Sequence, residues 1–174
     1  MYNKFKDVIQ QAYSEVELFN NIAGNLDNVT PDSLSNQLSF VFEELTETID
    51  ALESGDDKEF IDGLADIFVT VAGLLQKSEK AGYDVAEAIK RVNLNNLSKF
   101  PPAEYVQVTL PNLNGAVDTK IYGNVQPPDT TKEFNSQYSV VVFKDANGKV
   151  KKPLDFVPVD LAGTYPEGFL KGAS

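Results

Sequence analysis

The chain has 174 residues, 42% of them apolar, a formal net charge of −11 and an isoelectric point near 4.4. That is enough for one domain with an appendage, and its acidic surface repels nucleic-acid backbones and anionic membranes, so neither is expected as a partner. Cysteine and histidine are both absent, which excludes disulfides, thiolate and imidazole metal sites, and every catalytic arrangement with a cysteine nucleophile or an imidazole base.

Residues 1–17, MYNKFKDVIQQAYSEVE, hold no long apolar run, and no stretch is long enough to span a bilayer. A soluble, cytoplasmic protein without a signal peptide is expected. From about Tyr2 to Asn25, Phe5, Val8, Ile9, Ala12, Val16, Phe19 and Ile22 recur at helical spacing, and Gly24-Asn25 ends the helix. A second helix opens at Thr30-Pro31-Asp32-Ser33, with Thr30 as N-cap and Pro31 in the first turn. Leu38, Phe42, Leu45, Ile49 and Leu52 form its apolar stripe, and Gly55 closes it. A third helix is predicted from about Asp57 to Ala81, stopping at Gly82. A fourth starts near Asp84 and ends before Pro101-Pro102. Four helices with short connections predict an all-α bundle over residues 1–100.

Residues 101–174 follow another pattern. Tyr105–Leu110, Val117–Tyr122 and Tyr138–Phe143 alternate like short strands, Gln126–Asn135 has loop composition, and Asp145-Ala146-Asn147-Gly148 is a turn. The expectation is a β-rich or irregular C-terminal extension.

With no imidazole or thiol, chemistry must run on carboxylates, Lys, Arg, Tyr, Ser, Thr or a hard cation held by oxygen ligands. Glu43, Glu44 and Glu47 share one face of the second helix. They form either a solvated face opposite the apolar stripe or half of a metal site. Three like charges within a turn repel, and no Lys or Arg stands at helical spacing to offset them. The third helix is apolar or small nearly all the way round and is predicted to be buried, yet it carries Asp62 and Asp66 one turn apart. Asp62 also suits the helix start through the dipole, whereas Asp66 lies deeper, where a stranded charge needs a partner or a cation. The short Gly55-Asp56-Asp57 link makes the two helices neighbours. The fourth helix ends in Lys90, Arg91, Asn93, Asn95, Asn96, Ser98 and Lys99. Spacing alone favours capping and dipole compensation there over a phosphate grip.

Taken together, FVFEELTETIDALESGD, EFIDGLADIFVTVAGLL and VNLNNLSKF, in this order over roughly residues 15–100, resemble the MazG-like all-α nucleoside triphosphate pyrophosphohydrolases. The closer similarity is to phage and bacterial members related to phosphoribosyl-ATP pyrophosphohydrolase. The resemblance implies a homodimer or homotetramer that cleaves nucleoside triphosphates between the α- and β-phosphates with Mg2+, or with Mn2+. A phage-encoded chain would work in the host cytoplasm. By position, Glu43, Glu44 and Glu47 match the metal ligands of the family's EExxE motif, and Asp66 matches the aspartate of its ExxD motif. Asn96 and Lys99 match a phosphate-contacting pair, and Arg91 is a candidate assistant. Glu44 is the candidate base, and Phe19 or Phe40 are candidates to stack on the nucleobase. The family pattern places a glutamate where this chain has Gly63. Either the adjacent Asp62 supplies that ligand or the site has one fewer. A deoxyuridine triphosphatase of the all-α kind, a non-catalytic acidic helical dimer and a nucleotide sensor are the alternative readings.

Overall fold

The helices start and stop where local chemistry directs. In the computed structural model, which describes residues 2–101, 118–123, 139–153 and 156–172, α1 spans Tyr2–Ile22, α2 Pro31–Ser54, α3 Asp57–Lys80 and α4 Val85–Leu97. The Thr30 hydroxyl accepts from the Ser33 backbone N–H at 3.2 Å, and the Ser33 hydroxyl accepts from the Thr30 N–H at 2.9 Å. This reciprocal box satisfies two donors that a helix start leaves open. Gly55 ends α2 at φ 74°, a left-handed conformation that glycine adopts without a Cβ penalty. Asp56 follows at once as the N-cap of α3, its Oδ1 accepting from the N–H groups of Lys58 and Glu59 at 3.1 Å. A link this short folds α3 back on α2 as an antiparallel pair.

The chain divides into two compact units, Met1–Val85 with Gly163–Ser174, and Ala86–Ala162. In the first, α2 and α3 run antiparallel, with Gln37 level with Gly73 and Thr48 level with Gly63. α1 packs on α3. The C-terminal segment joins this unit: Asp84 N–H donates to the Thr164 carbonyl at 2.8 Å, and the Tyr83 and Phe169 rings meet edge to face at 5.9 Å. A short 3-10 turn, Phe169–Gly172, touches α2.

The seam between these helices is unusually polar. Asn20, Gln37, Thr48, Gln76 and Lys77 are buried beside Val16, Leu26, Leu34, Ala51 and Ala72. The amides satisfy one another and the backbone. Asn20 Nδ2 donates to Gln76 Oε1, Gln76 Nε2 to the Tyr13 carbonyl, and Gln37 Nε2 to the Thr70 carbonyl, each at 3.0 Å. A satisfied buried network specifies register, because any slip strands a polar group.

Two expectations are corrected here. The α2 stripe is not the core: Leu38, Phe42, Leu45, Ile49 and Leu52 are all exposed, Phe42 at 70%. The third helix is not buried all round, since Ile61, Leu64 and Val69 are exposed as well. The physical reason is which face of α2 can approach α3 most closely. That face carries Gln37, Glu44, Thr48 and Ala51, opposite the glycines of α3, and it leaves the larger apolar side chains pointing away.

In the second unit, α4 anchors the end of the extension. Arg91 Nη1 donates to the carbonyls of Asp160 (3.3 Å) and Ala162 (3.1 Å), and Asn95 Nδ2 donates to the Val157 carbonyl at 2.7 Å. Strands β1 (Asp118–Gly123) and β2 (Ser139–Lys144) pair antiparallel, from Asp118 opposite Lys144 to Gly123 opposite Ser139. They match two of the predicted strands to within a residue. Asp145 to Gly148 turns as expected, with Asp145 Oδ1 accepting from Asn147 and Lys149 N–H. The predicted strand at Tyr105–Leu110 and loop at Gln126–Asn135 lie outside the described residues. Among the described residues no helix is long and apolar enough to cross a membrane.

Lys77 is 6% exposed, makes no ion pair among the described residues, and burial pushes its ammonium below the ordinary value of 10.5. The unfolded chain therefore holds that proton more tightly. Its burial costs stability at neutral pH, and the cost disappears as pH rises through the lowered value toward 10.5. Lys77→Met keeps the unbranched stem and should raise Tm at pH 7 by roughly 2–4 °C, about 1 kcal/mol. Thermal denaturation followed across pH should show that gain shrinking under alkaline conditions.

Candidate metal centre

Because α2 turns its Glu44–Thr48–Ala51 face toward α3, its carboxylates look across a groove rather than into bulk solvent. The groove is a cleft of about 380 Å³ lined by Glu44, Glu47, Asp50, Ala51, Ser54, Asp56, Glu59, Asp62, Gly63 and Asp66. Four of the five sequence-predicted metal ligands, Glu44, Glu47, Asp62 and Asp66, thus meet in one place. Glu43 is exposed and does not line the cleft. Neither aspartate of α3 is buried, because that part of the helix lies open along the groove.

The electrostatics of the cleft register most clearly at Glu44, which is half-buried. Partial burial raises its pKa above the ordinary 4.5, and the charges of Asp66, Glu47, Glu43 and Asp62 raise it further. Carboxylates from both helices therefore act on one group, Glu43 included. No lysine or arginine is among the residues lining the cleft. Lys58, at its α3 end, pairs with Glu59.

The donor set is oxygen alone and anionic, with only Glu59 paired to a lysine among the described residues, which suits a hard divalent cation such as Mg2+ or Mn2+ and no soft metal. Among the described residues no three carboxylates already stand in a ligating arrangement. The glutamates, on flexible side chains, would swing inward to complete one. On donor chemistry the residues fit such an ion.

Sequence reasoning missed Asp50, Asp56 and Glu59 as cleft residues. Asp50 was findable, since it continues the helical face of Glu47 after three residues. Asp56 and Glu59 were not, because the cap geometry at the start of α3 decides where they point.

The basic candidates belong to the second unit. Arg91 Nε bonds Glu87 at 2.8 Å while its Nη1 serves the carbonyls of Asp160 and Ala162. Asn96 is exposed and Lys99 half-buried, and Lys99 Nζ donates to Asn96 Oδ1 at 2.7 Å. Phe19 and Phe40 are exposed on α1 and α2, at 65% and 42%.

An ordered pair of acidic helices joined by a capped two-residue link is a pattern that can be compared with known families. The family model for phosphoribosyl-ATP pyrophosphohydrolase matches residues 25–93. The match makes this stretch similar to that family and covers less than half of the chain. The matched stretch takes in α2, α3 and most of α4, with all five candidate metal ligands and Arg91, and stops short of Asn96 and Lys99. Its all-α core agrees with the expected fold class. No curated protein and no solved structure gives a match to the chain.

The raised pKa of Glu44 carries a sign. Its ionised form is disfavoured in the folded chain, so the metal-free protein loses stability as pH rises through 4.5 toward the raised value. In EDTA at pH 7, Glu44→Gln should raise Tm, by no more than roughly 1–2 °C for a solvent-screened group. The gain should vanish below pH 4.5, where wild-type Glu44 is already protonated. Paired melts at the two pH values test this.

Proposed function

We propose that the protein hydrolyses nucleoside triphosphates to a monophosphate and pyrophosphate, with Mg2+ or Mn2+ held in the α2–α3 cleft. One observation carries the reading: carboxylates from two helices of the stretch similar to the pyrophosphohydrolase family line a single cleft that no lysine or arginine enters.

Glu44, Glu47, Asp62 and Asp66 would hold the cation from the two walls, with Glu43 outside the cleft adding charge. When bound, the cation supplies neutralisation of a triphosphate that carries about four negative charges, and polarisation of the attacking water. Glu44, which lines the cleft from α2, would take the proton from that water. Water oxygen bonds to the α-phosphorus, the bond from that phosphorus to the bridging oxygen breaks, and pyrophosphate leaves. In the second unit, Asn96 and Lys99 carry an amide N–H and an ammonium, the chemistry that suits phosphate oxygens. Arg91, already bonded to Glu87 and two carbonyls, is better suited to anchoring residues 160–162 than to gripping phosphate. A role in nucleotide-pool control would follow from this chemistry.

The exposed apolar side chains of α1, α2 and α3 add a proposal about assembly. Phe5, Phe42, Leu52 and Ile61 are each more than half exposed. Large apolar patches of that kind on a soluble chain mark an interface, and a second copy of this chain is the simplest occupant. Light scattering after size exclusion should give the mass of a dimer or tetramer, and a monomer at micromolar concentration would contradict this.

The deciding assay is pyrophosphate release from a panel of ribo- and deoxynucleoside triphosphates, phosphoribosyl-ATP included. It should depend on Mg2+ or Mn2+ and fall roughly 100-fold in Glu47→Gln, about 2.7 kcal/mol of transition-state stabilisation. Turnover confined to one nucleotide would name the substrate. A folded wild type that releases nothing from any of them, with either metal, would overturn the hydrolase reading.

A further inference from the structure

At Gly63, which lines the cleft, α3 comes up against the backbone of α2 at Thr48. An ideal Cβ at Gly63 would fall 2.3 Å from Thr48 Oγ1, 3.2 Å from Thr48 Cβ and 3.3 Å from Thr48 Cα. The two backbones meet there with no side chain of α3 between them. Thr48 follows Glu47 directly and lies one turn beyond Glu44. Gly63 follows Asp62 directly and precedes Asp66 by three residues. The contact is therefore bracketed on both helices by the carboxylates that face each other across the cleft.

Nor can Thr48 easily give way. It is 5% exposed, its hydroxyl donates to the Glu44 carbonyl at 2.7 Å, and a β-branched side chain in a helix has few rotamers to choose from. Gly73 provides the contrast on the same seam. A Cβ there would meet Gln37 Nε2 at 3.2 Å and Asn20 Nδ2 at 3.4 Å, the far ends of two flexible side chains. One glycine admits backbone, whereas the other admits amide tips that can shift.

We propose that the Thr48–Gly63 contact is the positioning element of the cation site: it sets the gap between the two carboxylate walls and thereby both the affinity for the ion and the choice of ion. The proposal rests on the cation-binding reading above. A site whose ligands come from two separate helices is only as well formed as the distance between them. Mg2+ and Mn2+ favour short, regular octahedral coordination, which for Mg2+ means ligands at about 2.0–2.1 Å. Ca2+ accepts irregular shells at about 2.3–2.6 Å. Widening the gap should therefore penalise the small ions more than Ca2+. With position 63 given over to the contact, the carboxylates that α3 brings to the cleft are Glu59, Asp62 and Asp66, the last two flanking Gly63.

The test is Mn2+ affinity of the full chain without nucleotide, read from free Mn2+ by electron paramagnetic resonance, with Ca2+ affinity by competition. Circular dichroism checks folding. Wild type, Gly63→Ala, the double variant Gly63→Ala/Thr48→Ala and Gly73→Ala are compared. Gly63→Ala should weaken Mn2+ binding at least about tenfold, in the range typical of lost support around a metal site, and weaken Ca2+ binding less. The double variant removes the overlap with Oγ1 but keeps the one with Thr48 Cβ, so it should recover in part and remain about threefold weaker than wild type. Gly73→Ala should lower Tm and leave Mn2+ affinity unchanged. Wild-type Mn2+ affinity in Gly63→Ala, or an equal loss in Gly73→Ala, would overturn the proposal while the cation site stands. Should Gly63→Ala fail to fold, the double variant decides alone, and wild-type affinity in it is the overturning result. A wild type that binds neither ion would overturn the cation-binding reading and this proposal with it.

Discussion

The structure of the first unit depends on one close contact between two helices. Thr48 and Gly63 bring the α2 and α3 backbones together beside the carboxylate cleft. Beside it Ala51 and Ala72 pack, Gln37 and Asn20 reach over Gly73, and of the large apolar residues of α2 Leu34 is buried while the Leu38–Leu52 stripe stays outside. The usual arrangement of an amphipathic helix, with leucines and phenylalanines turned inward, is thereby given up on α2. In its place the pair gains a groove with carboxylates on both walls.

That exchange shapes the energetics. Partial burial and then the charges of four neighbouring carboxylates raise the pKa of Glu44. Repulsion of this kind works against the folded chain in the absence of a counterion, and it becomes binding energy for any cation that enters. The polar seam beside the groove contributes differently. Asn20, Gln37 and Gln76 are fully engaged with each other and with backbone carbonyls, so they add little net stability but penalise every other register. Precise register matters where ligands must come from two helices at once. The apolar side chains left outside, Phe42 and Leu52 among them, are the other consequence of the same contact. They make a helical unit that is poorly satisfied alone.

The second unit shows how position in a motif and position in a structure can diverge. Arg91 stands among the cations and amides that end α4, yet its guanidinium is spent on Glu87 and on the carbonyls of Asp160 and Ala162. Asn95 likewise holds the Val157 carbonyl. At the end of the same helix Asn96 is exposed, its amide oxygen accepting from Lys99 just beyond. Neighbouring residues of one chemical kind are thus divided between fastening the extension and remaining available.

The sequence by itself determined the elements and their punctuation. Thr30, Pro31, Gly55 and Gly82 act through local backbone chemistry, so the helix limits were legible, as were β2 and the turn after it. It also determined the kind of chemistry open to the protein, since a chain without cysteine or histidine leaves carboxylates as the main ligands. Only the tertiary structure decided which face of α2 packs. Helical periodicity counts apolar residues but does not measure how closely two backbones can approach, and here closeness at Gly63 outweighed the stripe. The same limit hid the role of Gly63 itself. In the sequence it reads as a gap in a motif, whereas in the fold it is where the two walls of the site are held together, because a missing Cβ shows its value only against the neighbour it lets in.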